Sequence, residues 1–169
     1  TNAVRGIPDE PFWARDELVA ATREHARQRG PAANERWSAR NHDTLVSDEW
    51  NACWTATGLP GWAEALPFAE PGEKIATRKA IESAFNATLP FIPALVSGSA
   101  DLTGNTGTRL KGEPAQACST PNGRQVYYGV REHAMGSAMV GMALHGGVLP
   151  VGGTFFVFAD YMRHALRLA

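Results

Sequence analysis

The sequence predicts an α/β fold, part of a parallel sheet preceded by a helical and irregular segment. Three observations carry this expectation. Over residues 126–161 a short β-branched and aromatic strand, a small-residue helix, a second strand (148–154) and a second helix follow one another, with a glycine at each junction. Ala94-Leu95-Val96 upstream is an apolar run of the kind that forms a buried strand. Residues 41–72, by contrast, show no sustained period of either kind.

Taken in order, residues 13–29 are helical in composition, with Asp16 and Glu17 early and Arg27 and Arg29 late, matching the helix macrodipole. Gly30-Pro31 is expected to end this helix, and a second short one is expected over 32–40. Trp50, Trp54 and Trp62 stand among turn residues in 41–72, the composition of an ordered linker lying on a surface, since a free tether would not carry three tryptophans. A helix is expected over 73–89, with Ile81, Ala84, Phe85 and Thr88 on its inner face and Pro90 and Pro93 closing it. The strand 94–96 then leads into a polar turn holding Asp101. Ligands of open α/β sheets bind beyond the carboxyl ends of strands, so Asp101 is well placed. Residues 111–125 read as a loop. These patterns divide the chain into 1–72 and 73–169, the second being the sheet-bearing domain. The last residues, 163–169, read as an amphipathic helix without a C-cap, and the chain is read as an internal piece of a longer protein.

Of 169 residues, 44% are hydrophobic and 20% charged, with a formal charge of −1. Such a balance gives no electrostatic reason to expect nucleic acid or an anionic membrane surface as partner. No apolar run approaches the roughly 20 residues of a membrane span, so a cytoplasmic protein is expected. Cys53 and Cys118 lack metal-ligand spacing and read as free thiols; no metal site is expected on this chain.

Glu132, at the opening of the helix after the first strand of 126–161, has two readings. It is either a helix-start carboxylate favoured by the dipole, or an acid in a partly apolar setting (Tyr127, Tyr128, Val130, Met135) tuned for proton transfer. Phe155, Phe158 and Tyr161, at i, i+3 and i+6, span an arc of roughly 120° on one side of an α-helix. They are either a core-facing stripe or a platform for a flat ring. Arg78 stands early in its helix, where the dipole disfavours it, so it is either solvated with Lys79 or paired with an anionic ligand. His133, His145 and His164 share no metal-binding spacing and are assigned to packing or solvent.

Four segments, ATRKA (76–80), GSADLTGNTGTR (98–109), YYGVREHAMG (127–136) and GGTFFVFADYMRHALRLA (152–169), stand in the order in which the transketolase family has them. The chain therefore resembles that family, most clearly over 73–169. The resemblance implies a thiamine-diphosphate-binding fold whose pyrimidine-binding domain is only partly present here, preceded by the end of the diphosphate-binding domain and a linker. It implies that Glu132 hydrogen-bonds N1′ of the cofactor's aminopyrimidine, that Phe155, Phe158 and Tyr161 surround that ring, and that Val130 helps hold the cofactor bent. Asp101 and Leu102 match residues near the thiazolium. Arg78 matches a substrate-phosphate ligand, and Asn105 stands where the family commonly has a serine for the same phosphate. The implied reaction moves a two-carbon ketol unit from a ketose phosphate to an aldose phosphate, in a homodimer whose sites lie at the subunit interface. The Mg2+ ligands are expected outside this chain, which alone is expected to hold half a cofactor pocket and to be inactive. Deoxyxylulose-phosphate synthase and the β subunit of a 2-oxo acid dehydrogenase place a glutamate after a similar strand, but Arg131-Glu132-His133 and SADLT disfavour them. A non-catalytic association module is the alternative of a different class.

Overall fold

The structure, a computed structural model, describes residues 3–8 and 10–169. The chain forms two compact units, residues 1–45 and 46–169.

The first unit is dominated by helix α1, Asp16–Leu45, which runs for 30 residues straight through Pro31 and buries none of its described side chains. This corrects the expected stop at Gly30-Pro31 and the separate helix over 32–40. Proline removes one N–H from the ladder and crowds the preceding turn, but good helix formers on both sides (Ala26, Arg27 and Gln28; Ala32, Ala33, Glu35 and Arg36) carry the helix across it. Being polar all round, α1 draws on local side-chain bonds: Gln28 Nε2 donates to Glu24 Oε1 at 3.0 Å, and Arg29 Nη1 lies 3.0 Å from His25 Nε2.

The second unit begins with helix α2, Asp48–Thr55, inside the segment expected to be irregular. Ser47 caps it, its hydroxyl accepting from the Trp50 N–H at 3.2 Å, and Ala56 ends it in the left-handed region at φ 52°. A turn follows in which Leu59 N–H donates to the Phe91 carbonyl at 2.7 Å, tying the tryptophan-rich stretch to the 3-10 turn Leu89–Phe91 just past the next helix. That helix, α3 (Thr77–Thr88), starts four residues later than the sequence suggested and buries Thr88.

Strand β1 (Leu95–Ser99) is the centre of a three-stranded sheet. On one side it pairs with β2 (Gln125–Tyr127), with Ser99 opposite Tyr127; on the other it pairs with β3 (Leu149–Gly153), with Ser99 opposite Gly153. Both pairings are parallel, as the strand–helix rhythm predicts. Between them come the single turn α4 (Thr103–Thr106) and helix α5 (Glu132–His145). After β3 the chain makes a 3-10 segment, Phe156–Met162, and then helix α6, Arg163–Leu168.

Met135 and Met162 meet Ala100 in a buried cluster, with Tyr128 and Met139 packed against it. Two glycines let the layers approach. A Cβ on Gly136 would lie 2.8 Å from Ala165 Cβ and 2.9 Å from Met162 Cε, and one on Gly152 would crowd the sulfurs of Met135 and Met139. The long loop 107–124 is held by polar groups. Gln125 accepts from Leu110 N–H at 2.9 Å and donates to the Ser97 carbonyl at 3.1 Å, while Arg124 donates to the carbonyls of Leu95 (2.8 Å) and Ile92 (2.6 Å). Among the described residues no helix is long and apolar enough to cross a membrane.

Candidate functional site

The three parallel strands end together, and the loops leaving them form a cleft of about 610 Å³. Ala100, Asp101 and Leu102 come from the end of β1. Val130 and Arg131 come from the turn between β2 and α5, Glu132 and His133 from the first turn of α5, and Phe158 and Tyr161 from the 3-10 segment after β3. This is the position that open α/β sheets use for ligands.

Glu132 is the first residue of α5 and is 7% exposed. Its hydrogen bond to protein is long, Thr154 Oγ1 to Glu132 Oε1 at 3.5 Å, and among the described residues it has no salt bridge. The neighbouring guanidinium is turned away: Arg131 Nη1 donates to the Tyr128 carbonyl at 3.0 Å and folds over Gly129, whose φ is +65°. A nearly buried carboxylate so weakly served by its own chain is suited to a polar partner entering from the cleft. Of the apolar setting expected around it, Met135 is buried and Tyr128 half-buried, and burial pushes the Tyr128 phenol up. Tyr127 and Val130 are exposed instead, Val130 at 77%.

Phe155, Phe158 and Tyr161 do form a continuous wall, but not on an α-helix. Phe158 and Tyr161 lie in the 3-10 segment and Phe155 caps its start. With three residues per turn, i and i+3 eclipse, so the rings stand one above the other. Phe155 and Phe158 stack with centroids 5.9 Å apart, and Phe158 and Tyr161 follow at 6.3 Å. Phe155 is 41% and Tyr161 67% exposed, so the wall faces outward and is not a core stripe. Phe155 supports Phe158 from behind the cleft lining.

Asp101 is exposed in the loop leaving the central strand and takes a left-handed conformation, φ 67°, which a non-glycine residue adopts at a cost of about 1 kcal/mol or more. Arg78 and Asn105 do not line the cleft. Both are exposed, Arg78 at the start of α3 and Asn105 in α4. The two elements touch through Gly107, where a Cβ would collide with the Arg78 carbonyl. Lys79, Arg78's neighbour, pairs with Glu82 at 2.7 Å.

Sequence reasoning missed Ala100, Arg131 and His133 as lining residues, and Thr154 as the partner of Glu132. It also passed over Ser99, although Ser97 and Ser99 recur at the two-residue period of a strand beside apolar Leu95, the mark of hydroxyls directed to a buried face. His133, His145 and His164 are all exposed; the rings of His133 and His164 meet edge to face at 6.2 Å.

The family model described as transketolase, pyrimidine binding domain, matches residues 73–169. The chain is 37% identical to the transketolase of Aquifex aeolicus over 177 aligned positions, covering 97% of this chain and 24% of the relative. It is 50% identical to that of Rhodobacter capsulatus over 100 positions, 59% of this chain and 15% of the relative. Among solved structures, transketolase from Leishmania mexicana superposes with a TM-score of 0.83 at 32% identity, covering 99% of this chain and 26% of that one. Pichia stipitis transketolase in complex with sedoheptulose 7-phosphate superposes at 0.78 and 32% identity, covering 96% of this chain and 26% of that one. The chain thus spans about a quarter of the length of these full-coverage relatives.

Proposed function

Because this chain belongs to the transketolase family, through its pyrimidine-binding domain, we propose that it supplies the pyrimidine-binding side of a thiamine diphosphate site. The protein that contains it moves a two-carbon ketol unit from a ketose phosphate to an aldose phosphate. The observation that supports this reading best is the pairing, in one cleft, of a nearly buried carboxylate with a ladder of outward-facing aromatic rings. An aminopyrimidine needs both, a flat apolar face to stack on and a carboxyl partner for its ring nitrogen.

In this reading Glu132 holds a proton shared with N1′ of the ring, and its low exposure keeps water from competing for that proton. Phe158 and Tyr161, backed by Phe155, carry the ring face, and Val130 presses on the cofactor from the turn before α5. Asp101 and Leu102 stand toward the thiazolium, where the carboxylate offsets positive charge. When bound, the cofactor supplies the electron sink that lets a carbon–carbon bond beside a carbonyl break. Arg78 at the start of α3 and Asn105 in α4, two elements in contact, serve the substrate phosphate. The Pichia stipitis complex with a sugar phosphate supports that substrate class. Magnesium and the diphosphate are held by residues outside this chain. The working protein is a cytoplasmic homodimer of the pentose phosphate pathway with its sites between subunits, and this chain by itself is not catalytic.

Titrating the full-length protein with thiamine diphosphate and magnesium tests the proposal. Saturable binding together with ketol transfer between pentose phosphates is expected, and Glu132→Gln should lower kcat by about 10²- to 10⁴-fold. Unchanged activity in E132Q, or pyruvate decarboxylation in place of ketol transfer, would overturn it.

A further inference from the structure

Ser99 is the last residue of β1 and the point at which all three strands of the sheet end. It is fully buried and touches each lip of the cleft. Its hydroxyl donates to the Gly153 carbonyl at the end of β3, at 2.6 Å, and accepts from the Leu102 N–H at 3.1 Å. Its own carbonyl accepts from the Tyr128 N–H at the end of β2, at 3.2 Å. The three loops so joined are those that carry Asp101 and Leu102, Glu132, and the Thr154–Tyr161 wall.

We infer that Ser99 is a positioning residue for this cleft, its hydroxyl setting the Asp101–Leu102 lip against the end of β3 and so fixing the gap in which a cofactor ring is gripped. Two features favour this over a generic buried hydroxyl. Between Ser99 and Leu102 the chain passes through Asp101 in the left-handed region, a conformation that persists only where the surroundings over-determine it, and the Leu102 N–H to Ser99 bond closes that turn. The carbonyl that receives the Ser99 hydrogen belongs to Gly153, the residue before Thr154, and the Thr154 hydroxyl in turn meets Glu132. One side chain therefore sets the spacing of both lips relative to the carboxylate without touching a ligand itself.

The inference rests on the cofactor reading above, and the test separates the two. In the full-length protein, Ser99→Ala removes the hydroxyl and keeps the backbone bond to Tyr128. Well below the melting temperature it should weaken thiamine diphosphate binding about tenfold and speed amide exchange at Leu102 about tenfold, leaving the middle of α5 unchanged. Ser99→Cys fills nearly the same space with a weaker hydrogen-bonding group; it should shift both readouts in the same direction and stands in for S99A if that variant does not fold. A purely structural role would lower the melting temperature and leave both readouts where they were. If the unsubstituted protein does not bind thiamine diphosphate, the cofactor reading fails and this inference with it. If it binds and the folded Ser99 variant binds equally well with Leu102 still protected, this inference alone fails.

Discussion

At the scale of single residues, the cleft sets a buried carboxylate, Glu132, beside exposed apolar groups, Val130 and Tyr161. Phe158 is the middle ring of the wall and contacts both neighbours. Phe158→Ala should therefore cost both stacking contacts and, on the proposed function, weaken thiamine diphosphate binding about tenfold, measured by calorimetry on the full-length protein. The two thiols make a second contrast. Cys118 is exposed, whereas burial pushes the Cys53 thiol up, with Arg124 acting weakly against it. Alkylation near pH 8 should modify Cys118 first, and mass mapping of partially labelled protein checks the order. Junctions and spacing in the sequence marked Glu132, Asp101 and the aromatic triplet as candidates, with two readings each for the glutamate and the rings, and only the resemblance to the transketolase family chose between them. Ser99 and Thr154 were not marked, because a hydroxyl inside a strand or turn has no pattern of its own until its partners, distant in sequence, are known.

At the scale of elements, sequence signals held where local chemistry and tertiary packing agreed. The β1, β2 and β3 strands and α5 lie within a few residues of their expected places, since apolar runs bounded by glycine leave few alternatives. Pro31 misled because a strong local breaker was outvoted by its neighbours, and α2 was hidden because three tryptophans among turn residues mask a cap that rests on one serine. The 3-10 segment was also invisible, since an i, i+3, i+6 spacing fits an α-helix and a 3-10 helix alike. The joint between α5 and α6 yields a prediction at this scale. Gly136→Val puts a branched side chain where a single Cβ already falls within 3 Å of Met162 and Ala165. It should destabilise by about 1–3 kcal/mol in urea titration, with the wall displaced along with α6.

At the scale of the whole molecule, the second unit balances a small apolar core against buried polar groups, and Tyr128 belongs to both. Its phenol ionises less readily in the folded chain than the ordinary value near 10. The unfolded chain therefore gives up this proton first as pH rises. Stability from Tyr128 is fully present below about pH 10 and declines above it, toward the folded-state value. Chemical denaturation at pH 9 and pH 11 should show the loss, and Tyr128→Phe should flatten that part of the profile. The sheet has a further consequence. Its central strand joins partners far along the chain, Ser99 meeting Gly153 across 54 positions, so closing the end of the sheet is a non-local step that must first bring that span together. During refolding, helical signal should return well before any capacity to hold a flat aromatic ligand, which makes ligand capture a reporter of the last event in assembly.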